Sequence, residues 1–388
     1  MNWARPVVGR FDQRPLLVFW ETTKACPLSC RHCRASARLT RDPAELDTRE
    51  GIALIEQLAA PGRPRTTLIL TGGDCLVRPD LFDLLDHARS REVPVAVSPS
   101  VSPRLDPATM LRLRDAGVRS VSISLDGATP PTHEGVRGIP GHYDSTVETI
   151  DHLVRLGFHV QVNTTVMPAN VNELADIAAL LHWHGVKTWE VFFLISTGRG
   201  TQLAELTPAE NEDVCHFLVD ASRYGMTIRT VEGPFFRRVR RWRLGRGDGD
   251  AAEIFDLSPL YQRLRSRLVA QLGEPQQPVN APTVATRDGS GIVFIAHDGA
   301  VSPSGFLPIA VGNVRERALL DIYRESALLR ALRAAEFAGP CGMCPDRLLC
   351  GGSRARAYSA GDVLGSDPGC LIATFPTPED PAPAIAGS

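Results

Sequence analysis

Three cysteines at the spacing C-x3-C-x2-C, Cys26, Cys30 and Cys33, follow directly on the apolar run Leu16-Leu-Val-Phe-Trp20. The run reads as a buried strand and the cysteines as a loop at its C-terminal end. Thiolates this close together can converge on one small inorganic centre. A zinc ion would want a fourth ligand nearby, and only His32 offers one. A four-iron cluster held by three thiolates keeps one iron open to something else. The fold must therefore bring this loop to a place that a ligand can reach.

The rest of the chain supplies such a scaffold. Further apolar strands are expected at Thr67–Thr71, Val93–Ser98, Ser120–Leu125, His159–Thr164 and Thr188–Leu194. Segments with helical periodicity separate them, at Gly51–Ala60, Asp80–Glu92, Pro107–Gly117, Ser145–Leu156 and Asn172–His184. Strands alternating with helices predict an α/β chain curled into a partial (β/α)6 TIM-like barrel. Ligands bind at the C-terminal strand ends of such folds, and the polar motifs Gly72-Gly73-Asp74, Ser122-Ile-Ser124-Leu-Asp126 and Asn163 lie at such ends. A helix from Pro208 to Tyr224 closes the region. The basic run Arg237–Arg243 reads as a solvated helix face or a linker, with contact to an acidic substrate as the alternative. From Gly289 the grammar changes: Gly291–Ala296 and Ala300–Val301 predict a hairpin around Asp298-Gly299, and a helix is expected over Ala318–Ala335. The expected organisation is a tail over 1–14, the barrel over 15–235, a bridging region over 236–288, a small cysteine-bearing domain over 289–372, and a disordered Pro/Ala-rich tail over 373–388.

Composition narrows the function. The net charge of −2 gives no reason to expect nucleic acid or an anionic membrane as partner. No signal-peptide pattern and no apolar run of about 18 residues is present. The nine cysteines are an odd number, and seven of them fall into two clusters. Metal or cluster ligation in a reducing cytoplasm fits this usage better than disulfides. The second cluster is Cys341-Gly-Met-Cys344-x5-Cys350, with Cys370 further on. Four thiolates can close a complete site, either a structural zinc or an iron–sulfur cluster. Cys215 falls within a helix and reads as core.

The first motif and its position after a strand resemble the radical S-adenosylmethionine (SAM) enzymes. The resemblance implies a 4Fe–4S cluster on Cys26, Cys30 and Cys33 whose open iron is chelated by SAM. Reductive cleavage of SAM then gives methionine and a 5′-deoxyadenosyl radical, which abstracts hydrogen from substrate. His32 takes the family's aromatic position beside the adenine. Gly72-Gly73-Asp74 matches the element that holds the SAM amino group, with Asp in place of the usual Glu. Ser124, Asn163, Leu194 and Arg199 are the further SAM contacts implied, Arg199 pairing with a carboxylate of SAM or substrate; Asp126 is read as a turn former. Cys75, next to the Gly-Gly-Asp turn, reads as a passive thiol or as one that donates hydrogen. The flanks of Cys341, Cys344, Cys350 and Cys370 resemble the SPASM extension, implying a 4Fe–4S auxiliary cluster. Ser304 and Ser353 stand where that extension commonly has cysteines, so two clusters are expected rather than three.

Over Arg14–Cys370 the chain is similar to the branch of haem synthases and haem-d1-type maturases. Thr22-Thr-Lys-Ala-Cys26, Gly305-Phe-Leu-Pro308, Gly312-Asn-Val-Arg315 and Cys350-Gly-Gly-Ser-Arg-Ala-Arg-Ala-Tyr358 carry that similarity. It implies oxidative decarboxylation or another modification of a tetrapyrrole, with a reducing partner such as flavodoxin or ferredoxin. The same architecture serves maturases of ribosomally made peptides; with the first strand beginning near Leu16, no N-terminal peptide-recognition domain is expected. Another small metabolite is a third possibility. An iron–sulfur electron carrier or sensor is the reading of a different class, and the open iron together with the SAM-contact motifs argues against it.

Overall fold

The computed structural model describes residues 11–246, 251–282 and 286–374. Most of the two expected tails, 1–10 and 375–388, lies outside the described residues. Seven strands run parallel in sequence order: β1 (Leu17–Glu21), β2 (Thr67–Thr71), β3 (Val95–Val97), β4 (Ser120–Ser124), β5 (His159–Val166), β6 (Thr188–Phe193) and β7 (Thr227–Val231). Helices join successive strands, as parallel pairing requires. The partial barrel is as expected, and β7 extends it by one strand. Its sequence Thr-Ile-Arg-Thr-Val buries Ile228 and leaves Arg229 exposed, as an edge strand can.

Alternation sets the two faces. Val18, Trp20, Leu68, Leu70, Val121, Ile123, Val160, Val162, Trp189 and Val191 point out under the helices and are fully buried. Their neighbours along each strand face the barrel interior. Register then draws a polar row across four strands, Ser124 opposite Asn163, Asn163 opposite Glu190, and Glu190 opposite Arg229.

The expected hairpin forms, but it is not a separate sheet. β8 (Arg287–Asp288) leads into β9 (Gly291–Ile295), which pairs in parallel with β1. β10 (Ala300–Ser302) returns antiparallel, and β11 (Gly312–Asn313) follows it. The C-terminal region is thus built onto the barrel through the strand that carries the first cysteine loop. The expected helix over Ala318–Ala335 is two, Leu319–Glu325 and Ala327–Ala334. Ser326 leaves helical geometry between them, and its hydroxyl caps the second by accepting from Leu329 N–H.

The basic run differs most from expectation. It forms the helix Phe235–Arg246, and Arg238 within it is only 1% exposed. Its guanidinium makes a two-pronged pair with Glu212 at 2.8 and 2.6 Å. Arg243 pairs with Asp220 and Arg241 with Asp346. Helical spacing sent several of these arginines inward to acidic partners on other elements, which no local pattern announces. Among the described residues no helix is long and apolar enough to cross a membrane.

Candidate functional site

The cysteine loop leaves β1 through Thr22 and Thr23 and is held by the C-terminal ends of the other strands. From β2, Gly73 N–H donates to Thr23 C=O at 2.7 Å and Asp74 N–H to Ala25 C=O at 2.8 Å. A Cβ on Gly72 would come within 2.4 Å of Thr23 O, and one on Gly73 within 2.3 Å of Ala25 O. The two glycines are therefore required for the backbones to meet. Past the end of β3, Ser100 places its hydroxyl 3.4 Å from Cys26 Sγ and 3.3 Å from Gly73 O. Beyond β6, Arg199 N–H donates to Cys33 C=O at 3.0 Å, while its Nε donates to Cys30 C=O and its Nη1 to Ala37 C=O. Leu194 packs with Val136 and Met167.

Charge gathers beside Cys30. Arg137, on the helix Pro130–Arg137 after β4, donates to Cys30 Sγ at 3.4 Å and lies 2.7 Å from Asp126 Oδ2. His32 Nε2 is 3.2 Å from the same oxygen, and Thr165 N–H donates to Asp126 Oδ1 at 2.8 Å. Burial opposes the charge on Asp126, but Arg137 and His32 outweigh it and hold its carboxyl well below the usual range. Behind this group, Asp126 N–H donates to His133 Nδ1, so the His133 Nε2–H points to His142 Nδ1 at 2.8 Å. Burial depresses His133 to about 3 and keeps it neutral.

The predicted residues fall into two groups. Cys26, Cys30, Cys33, His32, Gly72, Gly73, Asp74, Leu194 and Arg199 all touch the loop or its immediate supports. Ser124 and Asn163 lie instead on the interior polar row, where Gln161 donates to both Asn163 Oδ1 and Glu190 Oε2 at 2.8 Å. Several placements differ from the implied roles. The Asp74 carboxylate caps the turn Cys75–Val77 and accepts from Ser100 N–H and Ser102 Oγ–H. Arg199 spends three of its donors on the loop backbone. Asp126 is a charge partner of His32 and Arg137 more than a turn former. Cys75 is fully buried in the main core, and burial pushes its thiol well up and so keeps it protonated. Sequence reading missed Ser100, Arg137, Glu190 and Arg229. The periodic strand pattern was a usable signal for the last two only, once β7 is placed.

The second cysteine group lies against the helices Pro208–Ala221 and Phe235–Arg246. Cys341 Sγ accepts from Asp367 N–H at 3.4 Å and from Arg354 Nη2 at 3.8 Å. Burial pushes the thiols of Cys344, Cys350 and Cys370 up, and the positive charge of Arg238 pulls all three back. Ser304 and Ser353 are both buried.

These surroundings fit iron–sulfur clusters. Thiolate sulfurs in both groups already accept N–H donors, as cluster sulfurs do. Around the first loop, the buried Arg137 Nε and Arg199 Nη2 have no hydrogen-bond partner among the described residues, so donors are left over for a polar ligand, and His32 Nδ1 is likewise unpartnered. Among the described residues, no three His, Cys, Asp or Glu side chains converge as they would around a single ion. A four-iron cluster takes its thiolates at separate corners and needs no such convergence.

The sequence model of the radical SAM superfamily matches residues 20–181. The AdoMet-dependent heme synthase of Methanosarcina barkeri is 32% identical over 360 residues, 92% of this chain and 96% of that protein. The mycofactocin maturase MftC of Mycobacterium tuberculosis is 29% identical over 92% of this chain and 83% of its own length. Among solved structures, Streptococcus suis SuiB bound to its precursor peptide SuiA superposes with a TM-score of 0.64 at 12% identity, covering 94% of this chain and 76% of that one. Cysteine loop, strand-end supports and whole-length similarity agree: the chain belongs to the radical SAM enzymes, in their haem-synthase-like branch.

Proposed function

We propose that this radical SAM enzyme modifies the carboxylate side chains of a tetrapyrrole, by oxidative decarboxylation. Bound at Cys26, Cys30 and Cys33, a reduced 4Fe–4S cluster with SAM supplies a 5′-deoxyadenosyl radical that removes hydrogen from substrate. The observation that carries the substrate reading is the similarity to a heme synthase over nearly the full length of both chains. The interior supports it. Arg34, directly after the last cysteine of the loop, sits 4.4 Å over the Phe294 ring and 5.8 Å from that of Phe306, with Glu21 at 3.5 Å. A guanidinium framed by aromatic rings suits a propionate on a flat, apolar macrocycle. Arg229, beside Glu190 in the interior row, is a second anion partner; burial pushes Glu190 up and Arg229 opposes that.

In the reading we adopt, His32, Asp74, Ser124, Asn163, Leu194 and Arg199 shape the SAM site. Cys341, Cys344, Cys350 and Cys370 would hold the auxiliary cluster, a centre that would offer an acceptor for the electron left when the substrate loses carbon dioxide. A low-potential carrier, flavodoxin or ferredoxin, delivers electrons in the cytoplasm. Anaerobic incubation with SAM, dithionite and an iron porphyrin bearing propionates tests the substrate: 5′-deoxyadenosine should form together with a porphyrin that has lost carbon dioxide. Formation of 5′-deoxyadenosine with the porphyrin mass unchanged overturns it. The likeness in fold to SuiB bound to its precursor peptide SuiA supplies a peptide as the second reading, and a precursor peptide serves as the alternative substrate in the same assay.

A further inference from the structure

A row of four ionisable groups joins the cysteine loop to the hairpin of the C-terminal region. Arg34, directly after Cys33, places its Nη1 3.5 Å from Glu21 Oε1. The other oxygen, Glu21 Oε2, lies 3.3 Å from His297 Nδ1, and His297 Nε2 lies 3.6 Å from Asp42 Oδ2. Glu21 is 3% exposed and His297 8%. The backbone fixes both. Glu21 ends β1 in register with Thr71, and His297, in the turn between β9 and β10, accepts Leu46 N–H at its C=O at 2.8 Å.

Arg34 is held by one nitrogen only. The same Nη1 donates to Gly305 C=O at 3.3 Å, while Nε and Nη2, the edge that can take a carboxylate two-pronged, make no hydrogen bond among the described residues. Phe294 lies under the guanidinium, and Phe306, on its other contact, also reaches Phe192 of β6 with 6.2 Å between ring centres. Phe192 is two residues beyond Glu190 and so shares its interior face. Gly305 makes the room, since a Cβ there would stand 3.0 Å from Arg34 Cζ. The guanidinium thus stands among rings at the interior mouth of the barrel, its side chain 20% exposed where that of Glu21 is 4%. The neighbouring charges decide what its free donors can do. Burial opposes the charge on Glu21, but His297 and Arg34 outweigh it and hold the carboxyl below its usual range. The groups that face His297 are Glu21 on β1, Lys24 and Asp42 on the loop, and Asp298 beside it in the turn; its hydrogen bond to Glu21 favours the charged imidazolium. Asp42 is answered by Arg38 at 3.1 Å. With His297 charged, two cations meet the single charge of Glu21 and one charge is left for a ligand; with His297 neutral, Glu21 and Arg34 cancel.

We propose that His297 governs the affinity of Arg34 for a substrate carboxylate: by neutralising Glu21, it leaves the Arg34 charge for the ligand. His297 is then a positioning residue that acts through Glu21, while Arg34 makes the contact. The ligand class, a carboxylate on a flat apolar ring, is that of the tetrapyrrole reading, on which the proposal rests.

Binding without turnover tests this, on the full chain reconstituted with iron and sulfide and saturated with SAM, no reductant being added. A zinc porphyrin bearing propionates, and the same porphyrin with its propionates esterified, are titrated by fluorescence. The parent should bind the free acid about 10–100-fold tighter than the ester, and Arg34→Met should abolish that preference. His297→Gln should lose about tenfold of it and Glu21→Gln should keep it. The two together should restore it, because without Glu21 there is nothing to neutralise. The parent's preference should decline as pH rises above the ordinary histidine value near 6.5, and Glu21→Gln should remove the decline. Ester binding and iron content identify a variant that is merely damaged; where His297→Gln is damaged, the pH series of the parent and of Glu21→Gln decides. Equal binding of acid and ester by the parent, a preference that survives His297→Gln, or one that adding Glu21→Gln fails to restore overturns the proposal and leaves the tetrapyrrole reading standing. A parent that binds neither porphyrin overturns both.

Discussion

The Arg238–Glu212 pair offers a perturbation whose structural and chemical effects can be separated. Both side chains are buried, and their two hydrogen bonds of 2.8 and 2.6 Å join the helices Phe235–Arg246 and Pro208–Ala221. Arg238→Met leaves the Glu212 charge with only His216, at 3.8 Å, as a weak partner. Breaking a buried pair from one side costs about 3–5 kcal/mol, because the remaining charge stays out of water. Replacing both members by apolar residues removes that charge, so Arg238→Met with Glu212→Leu should return to within about 1 kcal/mol of the parent. Arg238 also opposes the effect of burial on the thiols of Cys344, Cys350 and Cys370. Loss of such a supporting charge lowers metal affinity about 10–100-fold. The double variant should therefore recover stability but not iron. Urea denaturation of the iron-free proteins gives the first quantity and iron titration after reconstitution the second. If the double variant is no more stable than Arg238→Met, the pair is not the source of the cost. If it binds iron like the parent, Arg238 does not support the thiolates.

Three further outcomes follow from the first loop. Gly73→Ala drives a Cβ to 2.3 Å from Ala25 O and strains two backbone hydrogen bonds; a loss of about 2–4 kcal/mol is expected, with iron lost from the first cluster and kept by the second on analysis of the purified variant. Asp126→Asn frees Arg137 to give its charge wholly to Cys30 Sγ, which should raise the midpoint potential of the first cluster in a redox titration. An unchanged potential would show that Arg137 does not act on that sulfur. His133 has its folded pKa depressed to about 3, so its contribution is complete above the unfolded value near 6.5 and declines as pH falls from there. About 2 kcal/mol should be lost by about pH 5, and His133→Gln should flatten this acid limb in a denaturation series.

What was legible in the sequence is what local chemistry encodes. The apolar runs at Leu17–Glu21 and Thr188–Phe193 mark strands because both the period and the burial are local properties. The C-x3-C-x2-C loop is legible because one centre needs its ligands within a few residues. β7 was not, since Thr227–Val231 has an arginine and two threonines and no apolar run. The helix Phe235–Arg246 was found as a candidate helix but assigned the wrong face: seven residues with five arginines look solvated until Glu212, Asp220 and Asp346 arrive from distant parts of the chain. Arg137 escaped notice for the same reason, because its partners Asp126 and Cys30 become neighbours only once the curled sheet brings the loops after β4 and β1 together.

The same distinction explains how the chain departs from a cluster-rich relative without leaving a hole. Losing cysteine at positions 304 and 353 removes ligands that sequence inspection can count. What meets them cannot be counted that way, because Glu232, the partner of Ser353, lies far from it in the chain. A buried site that gives up a metal must refill with groups that satisfy one another. Here the Ser353 hydroxyl meets the Glu232 carboxyl, and Arg354, next in the chain, donates to Cys341 Sγ of the remaining group. A carboxyl inside a packed core is a costly filling if packing were the only requirement, since burial raises the pKa of Glu232 and its Oε1 has no partner among the described residues. An apolar filling would have been more stable.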